Sequence, residues 1–251
     1  MYYILDSNIW IDVSQGKISC NDLLGKTTVK VVVAPLMIVE LMRGTIRGGE
    51  QHFKKNRAMF GCMINCDILE LPKVFIYGLL WHVYGGVSNV RPPHYKILLQ
   101  ILVNSDSLAD FLKKAEAPGS VWTKISDLDS IHERVLDKEL ASLNTLAKKA
   151  SIKTLHVHMA ELYKMGNMAP DPDLVERKFS AALEFLRSIV IQVRNGANPL
   201  KNNRGTYIDN QLFYYLAEPN AVFVSNEDFS NEIKHSPQKD RIISYAKFCT
   251  L

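Results

Sequence analysis

Residues 1–13 read MYYILDSNIWIDV, and the sixth position decides how the chain is read. Tyr2 to Leu5 form a short apolar run of strand type, and a helix is expected from about Ile9. Asp6 stands between them, followed by Ser7 and Asn8. A carboxylate there is either a helix cap or one wall of a cation site. The spacing of the other acids has to decide.

Working outward, VKVVVAP (29–35) is continuous and β-branched, as a strand covered on both faces should be. It leads into LMIVELMRG (36–44), whose apolar residues have helical spacing and whose Gly44 reads as a stop. DILEL (67–71) reads as a third strand closed by Pro72, and VFIYGLLWHVYGG (74–86) as a helix ended by paired glycines. From His94 to Gly196 the patterns are helical: 94–103, 107–115, a long stretch over 126–150, 151–165 and 174–196. Pro92-Pro93, Pro118-Gly119 and PDPD (170–173) punctuate them. Strand and helix alternation returns with the helix TYIDNQLFYYLAE (206–218), the strand AVFVS (221–225) and a late strand RIISYAKF (241–248). The expectation is an α/β fold whose core spans 1–93 and 201–251, interrupted by a helical insertion over 94–200.

Nearly half of the 251 residues are hydrophobic, enough to bury a sizeable core and to exclude global disorder. No run approaches the roughly 18 to 20 apolar residues of a membrane-spanning helix. Asp6 comes after only five residues with no basic segment before it, so the N-terminus does not read as a secretory signal. Cys20, Cys62, Cys66 and Cys249 are too few and too scattered for a disulfide framework, which points to a reducing, cytoplasmic setting. A net charge of +4 tolerates a polyanionic partner without demanding one.

Ligand sites in open α/β sheets form just beyond the carboxyl ends of strands. Asp6 follows the first strand, and Glu40 lies one turn into the helix after the second. Asp209 lies early in the helix before the fourth strand, and Glu227 and Asp228 follow that strand in VFVSNEDF. Converging carboxylates repel one another unless a cation compensates them. Mg²⁺ or Mn²⁺ prefers oxygen ligands and supports phosphodiester hydrolysis by activating water. Each acid also has a plainer reading: Asp6 as a cap, Glu40 on a solvated helix face, Asp209 stabilised by a helix N-terminus, and Glu227 or Asp228 capping a helix near Phe229. The set is more informative than any member, because all fall at one kind of position.

On YILDSNIWIDV, VVVAPLMIVELMRG, YIDNQLFYYLA and AVFVSNEDF, in that order, the chain resembles the PIN-domain ribonucleases, the family that includes the VapC-type toxins of toxin–antitoxin pairs. The likeness covers about residues 1–90 and 201–251. It implies a three-layer α/β/α sandwich with a central, mostly parallel sheet, and an endoribonuclease using Mg²⁺ or Mn²⁺. It also implies metal ligation by Asp6, Glu40 and Asp209, with Glu227, two residues after Ser225, as the fourth acid, or Asp228 in its place. Asn8 would orient the Asp6 carboxylate or a bound water, and Ser7 would act by local hydrogen bonding. The insertion departs from a minimal member of that family. It offers an RNA groove, a homodimer face or a docking surface for an inhibitory protein.

Other polar features carry less. Arg43, one turn after Glu40, is either a phosphate contact or a salt-bridge partner. Lys201 and Arg204, on KNNRG before Asp209, are candidate phosphate contacts. His156-Val157-His158 and the Cys62–Cys66 spacing lack the complementary second pair that a zinc site needs. Lys113-Lys114 and Lys148-Lys149 read as exposed helix faces, and Trp81, Trp122 and Tyr214-Tyr215 as packing residues. Two alternatives stay open: a structure-selective DNA nuclease, and a binding or scaffold protein without catalysis.

Overall fold

The computed structural model describes residues 1–26, 28–83, 91–115, 117, 151–197 and 204–251. Five strands, β1 (Tyr2–Leu5), β2 (Lys30–Val33), β3 (Asp67–Ile68), β4 (Ala221–Val224) and β5 (Ile242–Ile243), form one parallel sheet in the order β3-β2-β1-β4-β5. Tyr3 pairs with Val31 on one side and Val222 on the other, which makes β1 the central strand. Every residue of β4 is buried, as are three of the four in β1 and in β2. Successive strand residues point to opposite faces, so both faces of the sheet are covered.

The helices that cover it begin and end for local reasons. Helix α1 (Ser7–Ser14) starts at Ser7, two residues before the sequence expectation, because the Asp6 side chain accepts the Ser7 N–H. It buries Ile9, Trp10 and Val13. Helix α2 (Cys20–Leu24) carries a reciprocal capping box between Ser19 and Asp22. Helix α3 (Pro35–Arg47) opens with proline in its first turn, runs through Gly44 and stops at Gly48. Gly44 is not the stop because the next turn has its own anchor: buried Thr45 donates to the Leu41 carbonyl and accepts from Asn56 Nδ2 at 2.7 Å. Asn56 belongs to α4 (Gly49–Ile64).

Three further boundaries differ from the sequence expectation. Strand β3 has two residues rather than five, since Pro72 opens α5 (Pro72–Trp81). That helix ends at His82 in the left-handed conformation (φ 55°), ahead of Gly85-Gly86, which lie outside the described residues. Strand β5 is also two residues long: the Ser244 side chain accepts the Lys247 N–H and starts a helix over Tyr245–Cys249.

In the interval expected to be an insertion, α6 (Pro92–Val103), α7 (Leu108–Ala115), α8 (Leu155–Leu162), α9 (Pro172–Lys178) and α10 (Ser180–Arg194) are helical. The helix expected over 126–150 lies outside the described residues. Helix α11 (Arg204–Phe213) and a 3₁₀ turn (Tyr214–Ala217) lead into β4, and α12 (Tyr245–Cys249) closes the chain. The interval shares its core with the sheet. Phe53 of α4 faces Phe111 of α7 with ring centres 6.2 Å apart, and Phe185 of α10 packs edge-on against Phe213, which packs on Phe223 of β4. Asn210 Nδ2 donates to the Ala182 carbonyl at 2.8 Å, a buried bond joining α11 to α10.

One cysteine pair departs from the sequence reading. Cys20 of α2 and Cys62 of α4 form a disulfide across 42 positions. Folding, not local spacing, brings them together, and a single bond of this kind does not make a framework. It removes the cysteine argument for a reducing compartment. Among the described residues no helix is long and apolar enough to cross a membrane.

Candidate active site

The strand order reverses beside β1: β2 and β3 lie on one side, β4 and β5 on the other. In an open parallel sheet that reversal leaves a crevice at the carboxyl ends of the two diverging strands. Asp6 continues β1 into it, and its backbone N–H still reaches the Val224 carbonyl at the end of β4. Ser225, Glu227 and Asp228 follow β4.

Asp6 is 1% exposed and is held on both carboxylate oxygens. Oδ1 accepts the Ser7 N–H at 2.6 Å and the Ser7 hydroxyl at 3.3 Å. Oδ2 accepts the Ser225 hydroxyl at 2.6 Å and, more distantly, Asn8 Nδ2 at 3.4 Å. The two readings of this residue are therefore compatible: Asp6 caps α1 and also lies at the floor of the crevice. Burial pushes its proton affinity up, the Ser225 hydrogen bond opposes that, and the Glu227 charge adds to it.

In the sequence Ser225 serves only as the residue whose spacing favours Glu227; the structure gives its hydroxyl a role of its own. Buried at the end of β4, its Oγ donates to Asp6 and accepts the Glu227 N–H at 3.0 Å. A hydroxyl two residues before an acid, at the end of an apolar strand, is the signal that favours Glu227, and it also fits a side chain bonding the backbone two residues on. Asn8 completes the link, with Nδ2 donating to Glu227 Oε1 at 2.8 Å. One amide and one hydroxyl thus tie the acid after β1 to an acid after β4.

Glu40, on α3, is half-buried, and burial with the charges of Asp6 and Glu227 raises its pKa to about 7. Its Oε2 is buried without a hydrogen-bond partner among the described residues. Asp209 occupies the sixth position of α11, past the first turn, so a helix N-terminus does not stabilise it. Its pKa rises to about 8 through burial, then through the charges of Asp6, Glu227 and Glu40. The Asp6 and Glu227 charges act on both Glu40 and Asp209, and Glu40 acts on Asp209, so these acids belong to one electrostatic neighbourhood at the crevice.

Asp228 stands apart. It is exposed, its Oδ1 accepts the Ser230 N–H at 2.9 Å, and that bond pulls its pKa down. Its charge is not among those acting on Asp6, Glu40 or Asp209. Arg43 is half-buried on α3, Arg204 opens α11, and Lys201 lies outside the described residues.

The donor set consists of carboxylate oxygens, which suits a hard divalent cation. The orphaned Glu40 oxygen and the two raised pKa values mark a crevice with uncompensated negative charge. A cation there would satisfy both. Among the described residues, however, no three His, Cys, Asp or Glu side chains are gathered as a metal-holding group.

Features outside the crevice have structural roles. Cys62 is bonded to Cys20 and offers no thiolate, while His156 Nδ1 lies 3.5 Å from Glu176, which grips Arg187 through both oxygens. Trp81 Nε1 donates to the Tyr163 carbonyl, and Tyr214 and Tyr215 are buried. Lys114 pairs with Asp110 one helical turn away; Trp122, Lys148 and Lys149 lie outside the described residues. Comparisons with family models, with curated proteins and with solved structures give no match to this chain.

Proposed function

We propose that this chain is a metal-dependent endoribonuclease of PIN-like type. The observation that carries the reading is the convergence of Asp6, Glu40, Asp209 and Glu227 on the crevice where the strand order reverses. The parallel order β3-β2-β1-β4-β5 and the ordered motifs of YILDSNIWIDV, VVVAPLMIVELMRG, YIDNQLFYYLA and AVFVSNEDF support it.

In this reading Asp6, Glu40, Asp209 and Glu227 hold Mg²⁺ or Mn²⁺. Such an ion, when bound, activates water toward a phosphodiester and offsets the charge that develops on phosphorus oxygens. The protein's own contribution is placement. Ser225 and Asn8 are positioning residues: they fix the Asp6 and Glu227 carboxylates before any ligand arrives, so little reordering is needed on binding. Glu40 and Asp209, with proton affinities near neutrality, release their protons to a cation at modest cost. RNA as substrate, an inhibitory protein partner and a toxin–antitoxin role belong to the same proposal and rest on the resemblance.

Incubation of matched single-stranded RNA and DNA with the protein and Mn²⁺ tests the substrate. The proposal expects internal cleavage of the RNA, suppressed by EDTA. DNA cleaved in preference to RNA would reassign the activity, and intact strands of both kinds would reduce the chain to a binding protein.

A further inference from the structure

At the opposite edge of the sheet, a surface pocket of about 520 Å³ lies against the segments that lead into β4 and β5. Arg177 and Lys178 enter it from the end of α9, and Arg241 enters from the turn before β5. Leu174, Pro219 and Gln238 contribute its apolar and amide surface, and no carboxylate side chain lines it. Pro219 precedes β4 and the acids follow it, so a strand of four residues, about 13 Å long, separates the two sites.

Helix polarity accounts for Arg177 and Lys178 in the last turn of α9. It does not account for a third cation converging from a separate segment. Arg241 is held by hydrogen bonds to the carbonyls of Leu216, Glu218 and Ala221, and no carboxylate neutralises it among the described residues. Those bonds do not exhaust the donors of a guanidinium. Neither Arg177 nor Lys178 has a carboxylate partner among the described residues; neighbouring Glu176 is engaged by Arg187. The pocket floor is fixed as well: Gln238 accepts the Ala181 N–H and donates to the Lys178 carbonyl. A concavity lined by one sign of charge concentrates the opposite sign, and guanidinium groups match phosphate oxygens in pairs.

We infer that this pocket binds a phosphate monoester of mononucleotide size, through Arg177, Lys178 and Arg241. Its volume falls within the range of about 300–1,000 Å³ typical of small-molecule sites. The cations take the phosphate, while Leu174 and Pro219 offer apolar surface to the remainder of the ligand. The site is separate from the acidic crevice and independent of its proposed chemistry.

Titration calorimetry in EDTA with AMP, adenosine and inorganic phosphate tests the inference on the full chain. AMP should bind at least tenfold more tightly than adenosine, and inorganic phosphate should compete with it. The double variant R177A/K178A should lose at least tenfold in AMP affinity with an unchanged circular dichroism spectrum. If that variant misfolds, Arg177→Gln, a change at an exposed position, should still weaken AMP at least threefold. Asp6→Asn should bind AMP like the wild type. Absence of AMP binding, equal binding of adenosine, failure of phosphate to compete, unchanged affinity in the Arg177 variants, or loss of affinity in Asp6→Asn would each overturn the assignment.

Discussion

Ser225 Oγ lies 2.6 Å from Asp6 Oδ2, a contact between residues 219 positions apart that end two adjacent strands. The same oxygen accepts the Glu227 N–H, so one hydroxyl sets both the floor and the lip of the crevice. Ser225→Ala leaves a buried carboxylate oxygen short of its nearest donor. The expected cost is about 1–3 kcal/mol of stability, the usual penalty for a buried group left unmade. Ser225→Thr, which keeps the hydroxyl, should recover most of it. Urea denaturation of the three proteins measures the difference.

Glu227 and Asp228 are adjacent but not equivalent. Asn8 holds Glu227 toward Asp6, whereas Asp228 is engaged by the Ser230 N–H. Glu227→Gln should lower RNA cleavage by a hundredfold or more, on the scale of about 3 kcal/mol of lost transition-state stabilisation. Asp228→Asn should stay within about threefold of wild type, below 1 kcal/mol by the same relation. Initial rates on one RNA, at one Mn²⁺ concentration, separate the two acids.

The positions of Asp6, Glu40, Asp209 and Glu227 were legible in the sequence because each sits at a recognisable point relative to a strand or helix. The choice between Glu227 and Asp228 was not, since it depends on a turn held by Ser225 and on a partner from another strand. The Ser225–Asp6 hydrogen bond and the Cys20–Cys62 bond were hidden for the same reason: each is made between segments that only the fold brings together. Boundaries failed where a local signal was overridden. Gly44 looked like a stop until Thr45 and Asn56 carried the helix onward, and RIISYAKF looked like a strand until Ser244 capped a helix within it.

The acids should also set the pH dependence of stability without divalent ions. Unfolded, Asp209 and Glu40 release protons near 3.8 and 4.5; folded, they hold them to about 8 and about 7. The folded chain therefore binds more protons across that window, and stability falls as pH rises through it. For Glu40 alone the swing is on the order of 3 kcal/mol, at about 1.4 kcal/mol per tenfold change in proton affinity. Asp209→Asn should flatten the decline and stabilise the protein at pH 8. Denaturant midpoints in EDTA between pH 5 and pH 9 provide the check.

The Cys20–Cys62 bond closes a loop spanning 42 positions around β2 and α3, the elements that deliver Glu40. Chain-entropy reasoning for a loop of that length gives about 4 kcal/mol. Cys20→Ser should therefore lower stability by about 2–4 kcal/mol under oxidising conditions and by far less under reducing ones. Cys66 is not expected to take over from Cys20, because burial pushes its thiol up to about 12 and keeps it protonated. Thermal unfolding with and without reductant reads this directly.

The proposed function stands on metal-dependent RNA cleavage at the acidic crevice that Asp6 anchors. Its most direct test compares wild type with Asp6→Asn on total RNA in Mn²⁺, with EDTA controls and a matched circular dichroism spectrum for the two proteins. Wild type should cleave, EDTA should abolish that cleavage, and a folded Asp6→Asn protein should lose at least a hundredfold. Equal rates in the two proteins, or cleavage undiminished by EDTA, would contradict the proposed function.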